Sequence, residues 1–158
     1  MFPKTDLRDD EFRGTTHKSV EIVIQIIKAI REATSPKFAI GMKIDSVDAA
    51  QSGDTNRAFV KQGQRIVDAG FDFLEVSGGT YEKADMAATP SERTASQGAF
   101  FLEFSALIRQ NFPSTILMVT SGFRSLEFMR NAVVSNELDL IGLGRPAILN
   151  PYIPRELL

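Results

Sequence analysis

Apolar residues at Val20, Val23, Ile24, Ile27 and Ile30 recur at the three-and-four spacing of one helical face, and Ile22 and Ile26 widen it. Thr15 or Thr16 can cap this helix, because a side-chain oxygen there accepts from the first free N–H groups. After Ser35-Pro36 the pattern changes: Phe38-Ala-Ile-Gly-Met-Lys-Ile44 is a short apolar run with turn signals around it, which predicts a buried strand. A polar loop over Asp45 to Asp54 leads to a second helix, about Thr55 to Ala69, with Phe59, Val60, Ile66 and Val67 on one side and Gly70 as its stop. Phe71 to Val76 is the next strand, followed by Ser77-Gly-Gly-Thr80 and a long loop over 81–98. A third helix, Ala99 to about Gln110, buries Phe100, Phe101, Phe104, Leu107 and Ile108. Thr115 to Thr120 is a strand, Ser121 to Arg124 a tight turn, Ser125 to Val134 a helix and Leu138 to Leu143 the last clear strand. Gly144-Arg-Pro146 opens a short helical turn that Asn150-Pro151 and Pro154 end.

The element order is αβαβαβαβ, and the strands are nearly continuous apolar runs, as expected of a parallel sheet covered on both faces. Two α/β architectures satisfy this order: an open doubly wound sheet, or part of a (β/α)8 barrel. The 158 residues contain no sequence repeat, low-complexity segment or linker, so 1–158 reads as one domain. A complete (β/α)8 barrel needs roughly 250 residues, so this chain would be a partial one.

Composition narrows the chemistry. Net charge is −2 without a block of like charge, which argues against nucleic acid or an anionic membrane as partner. There are no cysteines and His17 is the only histidine, which removes disulfides, thiolate chemistry and multi-histidine metal sites. No apolar run is long enough to span a bilayer and the N-terminus has no signal pattern, so the default expectation is cytoplasmic.

In both architectures ligands meet the C-terminal strand ends. Those ends are Lys43-Ile44, Ser77-Gly78-Gly79-Thr80, Thr120 to Arg124 and Gly142 to Arg145. Glycine lets backbone N–H groups approach an anion, a helix N-terminus adds its dipole, and arginine binds phosphate with two parallel hydrogen bonds. Ser121-Gly122 and Gly144-Arg145 fit the phosphate site that loops after the seventh and eighth barrel strands often form. The plain alternative is that these glycines only make tight turns and Arg145 is a surface charge. Lys43 either faces an electron-rich cofactor ring or its sugar-phosphate tail, or is a lysine snorkelling at a strand terminus. His17, the Asp45 and Asp48 pair and Tyr81 carry weaker signals; solvated surface residues explain them.

Taken in order, Thr120-Ser-Gly-Phe-Arg124, Asp139-Leu-Ile-Gly-Leu-Gly-Arg-Pro146 and Asn150-Pro151 resemble the closing segment of the old yellow enzyme family, the NAD(P)H:flavin oxidoreductases. Pro3, Arg8, Asp10-Glu-Phe12 and Gly14 resemble the family loop S-P-x-x-N-x-R-x-D-E-Y-G-G, with Asp6 in place of Asn and Arg13 in place of the first Gly. Phe71 to Tyr81 and Phe101-Leu-Glu-Phe104 are similar to the fungal, NADH oxidase-like branch. The resemblance implies about strands 5 to 8 of an FMN-binding (β/α)8 TIM barrel, its C-terminal half. It implies that Ser121, Gly122, Gly144 and Arg145 hold the FMN phosphate and that Lys43 contacts the flavin. It also implies NAD(P)H as electron donor and hydride delivery to an α,β-unsaturated carbonyl. The carbonyl-binding His-His or His-Asn pair and the proton-donating tyrosine lie, in the family, before the loop with which this chain opens. The chain alone is then expected to be inactive and to need a complementing N-terminal half or self-association. Two alternatives stay open: a non-catalytic remnant or assembly module keeping a phosphate-binding rim, and a phosphosugar-handling α/β protein.

Overall fold

The computed structural model describes residues 9–12, 20–45, 55–77, 104–120, 123 and 125–157. His17, Asp48, the loop over 81–98 with Tyr81, Phe100, Phe101, Ser121, Gly122, Arg124 and the side chain of Phe59 lie outside the described residues. In chain order the elements are α1 Glu21–Ala33, β1 Gly41–Asp45, α2 Thr55–Asp68, β2 Phe73–Ser77, α3 over 104–111, β3 Ile116–Thr120, α4 Leu126–Val134, β4 Leu140–Gly142, α5 Arg145–Leu149 and α6 Ile153–Leu157. The strands form one sheet in the order β1-β2-β3-β4, and β3 and β4 run parallel.

The described residues pack as two units. In the first, α1 buries Val20, Ile24 and Ile27, a stripe at spacings of four and three. The stripe is narrower than the sequence predicts: Ile26, about 100° around the helix from Ile27, is half exposed. The helix begins at Glu21 with Val20 at its N-cap position and no side-chain cap from it; Thr15 and Thr16 lie outside the described residues. Arg65 on α2 donates to Glu21 on α1 at 2.7 Å. Gly70 ends α2 with φ +87, a left-handed conformation that favours glycine, and its N–H donates to Val67 O.

The second unit holds most of the sheet and the elements from α3 onward. Its core is Leu74, Val76, Phe104, Ile108, Leu117, Val119, Met129, Ala132 and Leu138. On β3 the burial alternates: Leu117 and Val119 are covered, while Ile116 is 45% exposed. Leu140 is 44% exposed on β4. Continuous apolar runs predict cover on both faces, yet among the described residues one face of this strand pair carries half-exposed apolar side chains. Ser125 caps α4, its hydroxyl accepting from Phe128 N at 3.3 Å. Asn150 stands at the C-cap of α5, the short helical turn that Asn150-Pro151 and Pro154 are expected to end, and Pro154 lies beyond it. This proline stands in the first turn of α6, where a missing N–H costs nothing.

Each unit contains the same hydrogen-bonded clamp. In the first, Arg31 from the last turn of α1 donates to Phe38 O, Gly70 O and Asp72 Oδ2, all at 2.8 Å. Asp72 Oδ2 also accepts from Ile40 N, and Asp72 N donates to Ile40 O. In the second, Arg109 from α3 donates to Thr115 O at 3.0 Å and to Asp139 Oδ2 at 2.7 Å. Asp139 Oδ2 accepts from Leu117 N, and Asp139 N donates to Leu117 O. An arginine thus grips the carbonyl two residues before a strand's first pairing residue, and an aspartate bridges that arginine to the strand. Each clamp fixes the register in which two strands start, and a slip of one residue would turn every side chain to the wrong face. The chain therefore carries a structural repeat that its sequence did not reveal.

Candidate functional site

The β3–β4 register sets the site. Met118 lies opposite Leu140, Val119 opposite Ile141 and Thr120 opposite Gly142. Ser121-Gly122 follows Thr120 directly, and Leu143-Gly144-Arg145 follows Gly142. The strand ends from which these segments continue are therefore neighbours about 4.8 Å apart, while Ser121-Gly122 lies outside the described residues. A Cβ added to Gly142 would collide with Thr120 Oγ1, so the pair packs this closely only with glycine there. Thr120 Oγ1 is itself buried without a hydrogen-bond partner among the described residues.

Gly144 precedes α5, and a Cβ built on it meets nothing within 4 Å, so a ligand can reach this backbone. Arg145 is exposed and makes no hydrogen bond or ion pair among the described residues. The helix dipole contributes less here than the sequence predicts. α5 has only five residues, Pro146 has no N–H, and Ala147 N is already spent on Gly144 O. What remains for an anion is the backbone of Gly144 and Arg145 and, above all, the Arg145 guanidinium. These residues fit an oxyanion: open approach, free donors and a cation.

Lys43 sits on β1, and its Nζ donates to Glu75 Oε1 on β2 at 2.9 Å. The lysine side chain is 59% exposed and the glutamate 19%, so the carboxylate anchors and the lysine reaches outward. β1 and β4 are the outer strands of the sheet, three strand spacings or about 14 Å apart along it. Lys43 and Arg145 thus start from well-separated strands, and a ligand that meets both is expected to be an extended one.

Sequence reading missed Glu75 and both clamps. Their signal was present as an aspartate opening each of two apolar runs, Phe71-Asp-Phe-Leu74 and Leu138-Asp-Leu-Ile141, but the partners lie 30 to 41 residues away. Asp72 is held below the usual carboxylate range by the Ile40 N–H and the Arg31 hydrogen bond. At Asp139 partial burial pushes upward, but Arg109 and the Leu117 N–H outweigh it and the carboxyl is also lowered. Among the described residues no group of three or more His, Cys, Asp or Glu side chains could hold a metal ion, and no helix is long and apolar enough to cross a membrane.

No family model matches the chain. It is 39% identical over 158 residues to the NADH-dependent flavin oxidoreductase iccE of Talaromyces variabilis, covering 97% of this chain and 38% of that protein. It is 27% identical to the NADPH dehydrogenase of Geobacillus sp. (strain WCH70), over 98% of this chain and 42% of the relative. Over nearly its whole length this chain is similar to part of NAD(P)H-dependent flavin oxidoreductases. It spans about two-fifths of the length of these curated relatives. Among solved structures it superposes on a 2-naphthoyl-CoA reductase complex with a TM-score of 0.81 at 20% identity, over 98% of this chain and 23% of that one. On the crystal structure of TcOYE with pHBA the TM-score is 0.67 at 11% identity, over 99% and 39%. At such identities the likeness concerns the fold, and it settles the choice between α/β architectures: the four-stranded sheet with its helices is part of a TIM barrel.

Proposed function

We propose that this chain is the FMN-binding, C-terminal part of an NAD(P)H-dependent oxidoreductase barrel. In this reading Ser121-Gly122 and Gly144-Arg145 hold the FMN phosphate, and Lys43 meets the flavin ring system. One observation carries it: the Thr120–Gly142 register brings two glycine-containing segments to adjacent strand ends, one of them bearing an arginine free among the described residues. Arg145 supplies charge and paired donors to the phosphate, the Gly144 backbone lets it come close, and Lys43 acts on a distant part of the same ligand. When bound, FMN supplies hydride chemistry, from NAD(P)H to the alkene of an α,β-unsaturated carbonyl. No residue of this chain is assigned to bind that carbonyl or to donate the proton. Turnover is therefore expected only when a complementing N-terminal half is present.

A second reading, an assembly module that keeps only the phosphate-binding rim, draws support from exposed apolar residues. Ile116 and Leu140 on the sheet, and Ile148 and Leu149 on α5, would be covered by a complementing half or by a second copy.

Flavin fluorescence titration tests the main reading. FMN is expected to bind at least about tenfold more tightly than riboflavin, which lacks the phosphate, because charge-assisted bonds to a phosphate are worth roughly 1.5–3 kcal/mol. Equal affinity for the two would contradict it. FMN binding without enone reduction, when the complementing half is added, would favour the assembly module.

A further inference from the structure

The two clamps give an internal alignment of the chain. Ile40 corresponds to Leu117, and Asp72 to Asp139. One residue on, Gly41 against the Phe73 ring corresponds to Met118 opposite Leu140. Three residues on, Lys43 with Glu75 corresponds to Thr120 with Gly142. The clamp recurs in both copies, as expected of a device the fold requires. The ion pair does not recur: its counterpart is a hydroxyl against a bare glycine. A staple needed to join neighbouring strands of this sheet would have a polar equivalent in the second copy, and there is none.

On this basis we infer that Glu75 is a positioning residue for Lys43, holding its ammonium group toward the electron-rich ring of a flavin while offsetting part of its charge. This rests on the flavin reading above. The geometry supports a holding role. Glu75 is the covered partner at 19% exposure and Lys43 the outward one at 59%, so the carboxylate is the fixed point. An unheld lysine has a flexible four-carbon stem, and one ion pair to a fixed carboxylate restricts where its head can go. An ammonium group has three donors; Glu75 Oε1 takes one at 2.9 Å and two are left for a ligand. The site then presents a directed cation whose net charge is partly cancelled, suited to a polarisable ring with carbonyl acceptors.

The test uses the whole chain loaded with riboflavin or FMN, and the variants Glu75→Gln, Lys43→Gln, Glu75→Asp and the Lys43→Gln/Glu75→Gln double. Removing the carboxylate leaves the lysine charge uncompensated, so E75Q is expected to raise the midpoint potential of the bound flavin. K43Q is expected to lower it. A threefold to tenfold change in the relative affinity for reduced and oxidised flavin is about 15 to 30 mV for a two-electron couple. In riboflavin affinity the double variant should match K43Q, because positioning acts only through the lysine. Riboflavin affinity should fall roughly threefold in E75Q through lost positioning and recover in E75D, which keeps the carboxylate. Shifts of the same sign in E75Q and K43Q, a double variant whose loss of riboflavin affinity equals the sum of the singles, or E75D behaving like E75Q would each overturn the inference. If the unaltered chain binds flavin and E75Q does not differ from it, this inference fails and the flavin reading stands. If the unaltered chain binds neither flavin, both fail.

Discussion

Replacing Arg145 with glutamine is expected to weaken FMN binding roughly 10- to 100-fold while leaving riboflavin binding and the melting temperature unchanged. The size follows from what else is available. α5 is a helix of five residues, Pro146 donates nothing, and Ala147 N is committed to Gly144 O, so dipole and amide donors make only a small contribution. A bidentate guanidinium–phosphate pair is therefore the main source of affinity on this side of the site. Arg145→Lys should recover only part of the loss, since an ammonium group cannot reproduce the planar fork. The unchanged melting temperature follows from the exposure of Arg145 and its lack of partners among the described residues. Isothermal titration with FMN and riboflavin in parallel measures both. An equal loss for the two ligands would mean that Arg145 acts on something other than the phosphate.

Asp139→Ala is expected to destabilise the chain by about 2–3 kcal/mol, the largest effect of any single polar substitution on the described surface. The carboxylate accepts from Arg109 and from Leu117 N, and Leu117 is completely buried. Its loss leaves that part-buried N–H without its protein partner, and Arg109 without its counter-ion. The Asp139 side chain is 37% exposed, which keeps the cost below that of a fully buried pair. The pH dependence has a defined sign. The Asp139 and Asp72 carboxyls are both lowered from 3.8, so their stabilisation is complete above that value and is lost as pH falls through the depressed folded values. Chemical denaturation between pH 7 and pH 2.5 should show an acid limb, shallower in D139N than in the unaltered chain. A steeper limb in the variant, or none in either, would contradict the clamp's electrostatic role.

Much of this was legible in the sequence because it is local. The helix over Thr55 to Ala69 with its Gly70 stop, the Ser125 start of α4 and the strands at 115–120 and 138–143 each follow from periodicity and turn residues within a dozen positions. The boundaries shift by one to three residues because ladder pairing, not apolar character, defines where a strand begins. Ile26 reads as buried because it widens an apolar face bounded by the polar stripe of Glu21, Gln25, Lys28 and Glu32; packing chose the narrower stripe of Val20, Ile24 and Ile27. The end of α5 at Asn150 was legible from the Asn-Pro pair, whereas α6, with Pro154 in its first turn, was not.

The candidate site divides in the same way. Gly144, Arg145 and Lys43 were readable because glycine and a cation after an apolar run have a local meaning. Glu75 was not, since a glutamate inside Phe71 to Val76 reads as a solvated interruption until Lys43, 32 positions earlier, is placed 2.9 Å from it. The clamps were hidden for the same reason. Each joins the end of one helix to the start of a strand beyond the next helix, and no local pattern encodes such a distance.

The most direct measurement is an amide NMR titration of the isotopically labelled chain with FMN, inorganic phosphate and riboflavin in turn. If phosphate is gripped between the two strand ends, the Gly122, Gly144 and Arg145 amides move together with one apparent affinity for FMN and for inorganic phosphate, and stay still with riboflavin. Movement of Gly144 and Arg145 without Gly122, or of all three with riboflavin alone, would contradict the account.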